Sequence, residues 1–155
     1  MITIEKLMPQ YLEELKQVAL AEAQVQFACS TSDFLKERNA NVHLYVVVMD
    51  SKVVGFFKLD CDYSKTHAFC PSDGVGLCSF VIDQKQQGKG IGQSALQSLI
   101  SYLKQEYKTY NWLYLTVNCK NALAKKCYQK AGFIEQNQLF LAGPAGPQHI
   151  MYYPL

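Results

Sequence analysis

The sequence predicts a mixed α/β fold built as one domain across residues 1–155, and three observations carry that prediction. The chain is long enough to bury one core and too short to divide comfortably into two. Segments rich in β-branched and aromatic residues alternate with segments whose apolar residues recur at helical period. The later part of the chain runs strand, helix, strand, helix, an order that lays helices over a sheet.

Each element follows from local pattern. Ile2 to Lys6 alternates apolar and polar residues like a short strand, and after Pro9 the residues Tyr11, Leu12, Leu15, Val18 and Ala19 recur at helical spacing. From Ala23 to Asn41 the pattern weakens, although Ser30, Thr31, Ser32 and Asp33 offer caps for a short helix around Phe34 to Glu37. Val42 to Met49 and Lys52 to Asp60 read as a hairpin turned at Asp50-Ser51, and a loop from Cys61 to Gly74 follows. Leu77 to Ile82 is nearly all apolar, as a strand buried on both faces would be. Ala95, Leu96, Leu99, Ile100, Leu103 and Tyr107 mark a helix starting at Gln93. Trp112 to Val117 is a further strand. Asn121 can cap a helix that buries Ala124, Cys127, Tyr128 and Ala131 and stops at Gly132. Phe133 to Ala142 and His149 to Tyr153 flank the turn Gly143-Pro144-Ala145-Gly146-Pro147 and close the chain as a hairpin.

Composition narrows the function classes. A hydrophobic share of 49% with 18% charged residues excludes a disordered chain. A formal charge of +2 is too small for a nucleic-acid binder. No apolar run reaches the roughly 20 residues that cross a bilayer, and no signal-peptide pattern follows Met1, so no membrane partner is expected. Cys29, Cys61, Cys70, Cys78, Cys119 and Cys127 form no C-x-x-C pair and no zinc-ligand spacing with histidine. No metal site is expected, and free thiols point to the cytoplasm.

The chemistry concentrates in Gln87-Gly88-Lys89-Gly90-Ile91-Gly92, between the apolar strand and the helix. Glycines there let the backbone adopt left-handed dihedrals and approach a ligand closely. Amides at a helix start have no carbonyl partner and carry partial positive charge, so the turn suits a phosphate or pyrophosphate. Tight steric packing of a strand-to-helix turn explains glycines equally well. A P-loop is excluded, since no G-x-x-x-x-G-K-[ST] occurs, and the position past mid-chain argues against a Rossmann fingerprint.

Gln87, Gly90 and Gly92 match the Q/R-x-x-G-x-G/A motif of the GNAT superfamily of N-acetyltransferases. Asn121, Ala124, Tyr128, Gly132 and Phe133 resemble that family's second block. The resemblance implies a GNAT fold over essentially the whole chain, with a mostly antiparallel twisted sheet splayed between its fourth and fifth strands and flanked by helices. It implies acetyl-CoA as cosubstrate, lying in the splay, and a primary amine of a small molecule or peptide as acceptor, attacking the thioester directly in a ternary complex.

By that resemblance, backbone groups of Phe80, Val81 and Ile82 bind the pantetheine arm, and a backbone amide near Phe80 supports the thioester oxygen. Amides from Gly88 through Lys89, Gly90, Ile91 and Gly92 to Gln93 bind the pyrophosphate, with Gln87 opening the turn. Tyr128 protonates the departing thiolate as general acid, and Asn121 lies against the cofactor arm. Ordinary readings stand beside these: Tyr128 as the large member of an apolar stripe, Asn121 as a helix cap, and Lys120, Lys125, Lys126 and Lys130 as a solvated face. One of those lysines can also reach the 3′-phosphate of CoA.

The general base is not legible. Several relatives place a glutamate on the strand before the glycine turn, where this chain has Gly76, Leu77, Cys78 and Ser79. Asp60, Asp62, or water held by backbone and Ser79 are the alternatives. His149 can face the acceptor pocket or bond locally. The missing carboxylate leaves a rival function, a non-catalytic acyl-CoA-binding sensor or interaction module. A homodimer is the base-rate expectation for assembly.

Overall fold

A computed structural model describes residues 1–18, 31–36, 39–141 and 146–155 of the chain, with the side chains of 31–33 outside that description. The expectations placed on 19–30, on the caps up to Asp33, on Glu37 and on the turn at 143–145 therefore lie outside the described residues.

The order of elements is β1 (Ile2–Lys6), a 3-10 turn (Pro9–Tyr11), α1 (Leu12–Leu15), α2 (Thr31–Lys36), β2 (Val42–Met49), β3 (Lys52–Asp60) and α3 (Tyr63–Thr66). Then come β4 (Gly74–Ile82), a 3-10 turn (Gln84–Gln86), α4 (Ile91–Glu106), β5 (Trp112–Asn118), α5 (Ala122–Lys130), β6 (Ile134–Phe140) and β7 (Gln148–Pro154). The strands form one seven-stranded sheet in the order β1-β2-β3-β4-β5-β7-β6. Every neighbouring pair is antiparallel except β4 and β5.

That exception shapes the molecule. β4 and β5 pair only at Gly74↔Trp112, Val75↔Leu113 and Gly76↔Tyr114, and the rest of each strand diverges from its neighbour. The sheet therefore opens into a wedge whose walls are Leu77–Ile82 and Leu115–Asn118. Its vertex is set by a side chain: a Cβ on Gly76 would collide with the ring of Tyr63, which α3 lays directly on that glycine. The loop expected from Cys61 to Gly74 thus contains a one-turn helix, too short to show a period in sequence.

α4 begins at Ile91, two residues before the expected Gln93, because Gly90 adopts φ +75° and serves as its N-cap. Ile91, Ala95, Leu96, Leu99, Ile100 and Leu103 form its buried stripe, against Tyr45, Val47, Phe57, Leu59, Leu113 and Leu115 of the sheet. Each fully buried leucine contributes about 1.5–3 kcal/mol. On the opposite face, Leu15, Val18 and Phe34 pack on Leu44, Val46, Phe56 and Val81. At the β2–β3 turn, Asp50 and Ser51 both have positive φ, as a tight two-residue hairpin requires.

Candidate functional site

The wedge side facing α4 and α5 holds a cleft of about 340 Å³. Its walls come from three places: Phe80 and Ile82 of β4, the glycine turn with the start of α4, and a face of α5 that includes Leu123, Ala124, Cys127 and Tyr128. Of the residues singled out in sequence, Phe80, Ile82, Gln87, Gly88, Gly90, Ile91, Gly92, Gln93 and Tyr128 line it, whereas Val81, Lys89 and Asn121 do not. Val81 turns its side chain into the core of the other face. Its main chain still belongs to the open edge of β4.

The glycines divide into two kinds. Gly88 and Gly90 have φ of +80° and +75°, and a Cβ on either would meet nothing within 4 Å. Their requirement is conformational, and the space above them is open to a ligand. Gly92 lies inside α4, and a Cβ there would come 3.3 Å from the Sγ of Cys127. It is a packing glycine that lets α5 approach α4, and it also lines the cleft. The Gln87 amide donates to the Ile82 carbonyl at 2.9 Å, clamping the turn back on its strand. The Gln93 amide donates to the Lys130 carbonyl at 3.2 Å and ties the two helices together.

β4 carries a bulge at its open stretch. Phe56 pairs with Val81 and Lys58 with Cys78, so Phe57 faces both Ser79 and Phe80. Ser79 takes φ +52°, rare for a residue with a Cβ. Bulges re-aim backbone and side chains next to active sites, and this one sits where the cleft meets the wedge.

Tyr128 is 9% exposed, its ring 6.3 Å from Phe80 and 5.6 Å from Phe133 between centroids. Burial, with smaller contributions from Cys127 and Cys78, raises its pKa well above the ordinary phenol value. The phenol therefore keeps its proton through the neutral range, the state a proton donor needs. Asn121 is buried, and its side-chain oxygen accepts from the Ala124 amide at 3.3 Å, which makes it the cap of the helix that presents Tyr128.

The four lysines separate by position, Lys120 being exposed and outside the cleft. Lys126 and Lys130 line the cleft. Lys125 turns away to Glu135 at 2.8 Å, beside His149, whose Nδ1 is 3.2 Å from the other carboxylate oxygen without hydrogen-bond alignment. The Lys125 hydrogen bond, with lesser help from His149, holds the Glu135 carboxyl below its ordinary value. His149 belongs to this brace between α5 and the closing hairpin. Leu123, absent from the sequence expectations, lines the cleft one helical turn before Cys127; its i,i+4 spacing from that inward-facing cysteine was the available signal.

The carboxylates weighed as bases lie at the closed end of the wedge. Asp60 pairs with Gly76 and accepts from the Asp62 amide at 2.9 Å, and Asp62 is 3.1 Å from Lys65. Among the described residues no group of histidine, cysteine, aspartate and glutamate could hold a metal ion. No described helix is long and apolar enough to cross a membrane.

A model of the acetyltransferase (GNAT) family matches residues 4–133. Over 148 residues the chain is 26% identical to the uncharacterised N-acetyltransferase YbbJ of Bacillus subtilis, covering 94% of this chain and 92% of that one. It is 38% identical over 69 residues to the spermine/spermidine N(1)-acetyltransferase of the same organism, 44% of this chain and 45% of that one. Among solved structures, the aminoglycoside acetyltransferase AAC(6')-Ib in complex with coenzyme A superposes with a TM-score of 0.79 at 18% identity, covering 99% of this chain and 95% of that one.

Proposed function

The chain belongs to the GNAT family of acetyltransferases, and from that premise we propose how its cleft moves an acetyl group from acetyl-CoA to a primary amine. The observation that carries the reading is the meeting, in one cleft, of the open β4 edge, the two left-handed glycines and the protonated Tyr128. These features fit the cosubstrate: an apolar channel for the pantetheine arm, and free amides at the start of α4 for a pyrophosphate. The thioester supplies an activated acyl carbon and a leaving group.

The main chain of Phe80 and Ile82 pairs with the arm as an added strand would. The amides from Gly88 to Gln93 hold the pyrophosphate, and Lys126 or Lys130 meets the 3′-phosphate. The Phe80 amide, at the bulge, supports the carbonyl oxygen as charge develops on it. The amine first gives its ammonium proton to water, since Gly76 to Ser79 offer no carboxylate. The new C–N bond then forms as the C–S bond breaks, Tyr128 donates its proton to the departing sulfur, and the acylated nitrogen gives up its second proton to water, from which the Tyr128 phenolate is reprotonated. Transfer is direct, within a ternary complex.

Setting and assembly complete the proposal. The described cysteines are all free thiols, which supports a reducing cytoplasm. A homodimer is supported by the open edge of β6, where Ile134, Leu139 and Leu141 are exposed. Thiol release from acetyl-CoA across a panel of primary amines tests the activity. Release that depends on the amine and yields its N-acetyl product supports the reading; binding of acetyl-CoA without release on any amine would refute it.

A further inference from the structure

In the proposed transfer the pantetheine arm runs along β4 from Ile82 toward Phe80, and the acyl group lies past the sulfur. The next residues in that direction are Ser79, Cys78, Leu77 and Gly76. β4 and β5 converge along the same path and meet at the rung Gly76↔Tyr114. Neither Gly76 to Ser79 nor any residue of β5 lines the cleft, which ends at Phe80 and Tyr128. The narrow end of the wedge is therefore filled before the strands pair.

Two layers of side chains fill it. On the α4 face, Leu77 and Leu115 are both buried and belong to the core beneath that helix. On the opposite face the filling is one ring. Gly76 carries no Cβ on that side, and Tyr63 occupies the space. The Tyr63 hydroxyl bonds Thr116, two residues past the last rung on β5. The ring thus crosses from β4 to β5 over the first stretch where the two strands no longer pair.

Tyr63 has no room to swing aside. It is 3% exposed, with His67 stacked on it at 3.8 Å and Phe69 edge-on at 5.9 Å, and close-packed rings of this kind do not yield to an extra methylene without strain. Cys78 is within electrostatic reach of both Tyr63 and Tyr128, so the ring lies close behind the phenol that meets the sulfur. α4 and α5 cover the cleft side, and an acyl chain that turned out of the wedge on the other side would enter the path of the amine.

We propose that Tyr63 is a specificity-determining residue for the donor: its ring, seated on Gly76 and tied to Thr116, is the stop that limits the length of the acyl group. The proposal rests on the acetyltransferase reading and adds to it the residue that measures the transferred group.

The test compares acetyl-, propionyl- and butyryl-CoA with one primary amine that supports thiol release, using the full chain. Each added methylene should lower kcat/KM by at least about tenfold, so butyryl-CoA should fall at least about a hundredfold below acetyl-CoA. Tyr63→Leu shortens the stop and should cut the acetyl-to-butyryl ratio to about tenfold or less. Tyr63→Phe keeps the ring and should leave the ratio within about threefold of the parent. The ratio is taken within one protein, so a general loosening or a loss of folded material lowers all donors together and does not move it. Should Tyr63→Leu fold poorly, Thr116→Ala, which releases the far end of the ring, should lower the ratio at least about threefold. Competition against CoA with no amine present reads the stop as binding, and the parent should hold butyryl-CoA at least about tenfold more weakly than acetyl-CoA. Butyryl-CoA within about threefold of acetyl-CoA in the parent, by turnover or by competition, or a ratio unchanged in both Tyr63→Leu and Thr116→Ala, would overturn the proposal. Absence of thiol release from every donor with every amine would instead remove the acetyltransferase reading, and the proposal with it.

Discussion

Replacing Tyr128 with phenylalanine removes one oxygen and leaves the ring wedged between Phe80 and Phe133. The apolar contacts are kept, so the folded state should lose no more than about 1 kcal/mol. The chemical step loses its proton donor. A positioned acid contributes about 10²- to 10⁴-fold, and at about 1.36 kcal/mol per tenfold the barrier should rise by about 2.7–5.4 kcal/mol. Thiol release followed with a thiol-reactive chromophore, at saturating amine, should show kcat lowered by that factor and the KM for acetyl-CoA within about threefold of the parent. The pH profile adds a sign. Burial raises the phenol's pKa, so the acid form persists below that raised value and would be lost only above it; the parent's kcat should show no falling limb up to about pH 9.5. Turnover in Tyr128→Phe within about threefold of the parent would refute the assigned role, as would a falling limb near neutrality that the substitution abolishes without changing the plateau.

Gly88→Ala and Gly90→Ala should each cost about 1–2 kcal/mol through their left-handed φ and raise the KM for acetyl-CoA, read by thermal melts and steady-state kinetics. Gly92→Ala should act differently, through the 3.3 Å approach to Cys127, so adding Cys127→Ala should restore its Tm. Lys126→Ala with Lys130→Ala should raise the KM for acetyl-CoA by up to about tenfold, yet leave the KM for the analogue lacking the 3′-phosphate unchanged. Glu135→Gln should lower Tm slightly at neutral pH. The depressed carboxyl of Glu135 contributes above its ordinary value of 4.5 and loses that contribution as pH falls through the folded value, so the two proteins' melts should converge in acid.

Periodicity carried the fold where elements are long. The α4 stripe from Ala95 to Leu103 was legible because burial repeats at helical period, and β2 and β3 because each is a long run rich in β-branched and aromatic residues that is buried almost throughout. Boundaries were less so: β4 starts at Gly74, not Leu77, because two glycines in its first turn of pairing carry no apolar signal. α1 is four residues long rather than the longer helix suggested by Tyr11 to Ala19, since the spacing of a few apolar residues cannot report where hydrogen bonding ends. α3 has no periodic signature at all, yet its Tyr63 sets the vertex of the wedge. Within the site, the motif identified the glycine turn but not the separate jobs of its glycines, which depend on φ and on the distance to Cys127. The division of the lysines into Lys126 and Lys130 on the cleft and Lys125 on Glu135 likewise needed the helix's orientation.

The central claim is direct transfer within a ternary complex in this cleft, and single-turnover mixing of enzyme, acetyl-CoA and a primary amine that supports thiol release, read by mass spectrometry, tests it most directly. The account expects one thiol released for each N-acetylated amine, no release without amine, and no acetylated protein at any time. Accumulation of an acetyl-enzyme before amine is added, or thiol release with no acetylated amine, would contradict it.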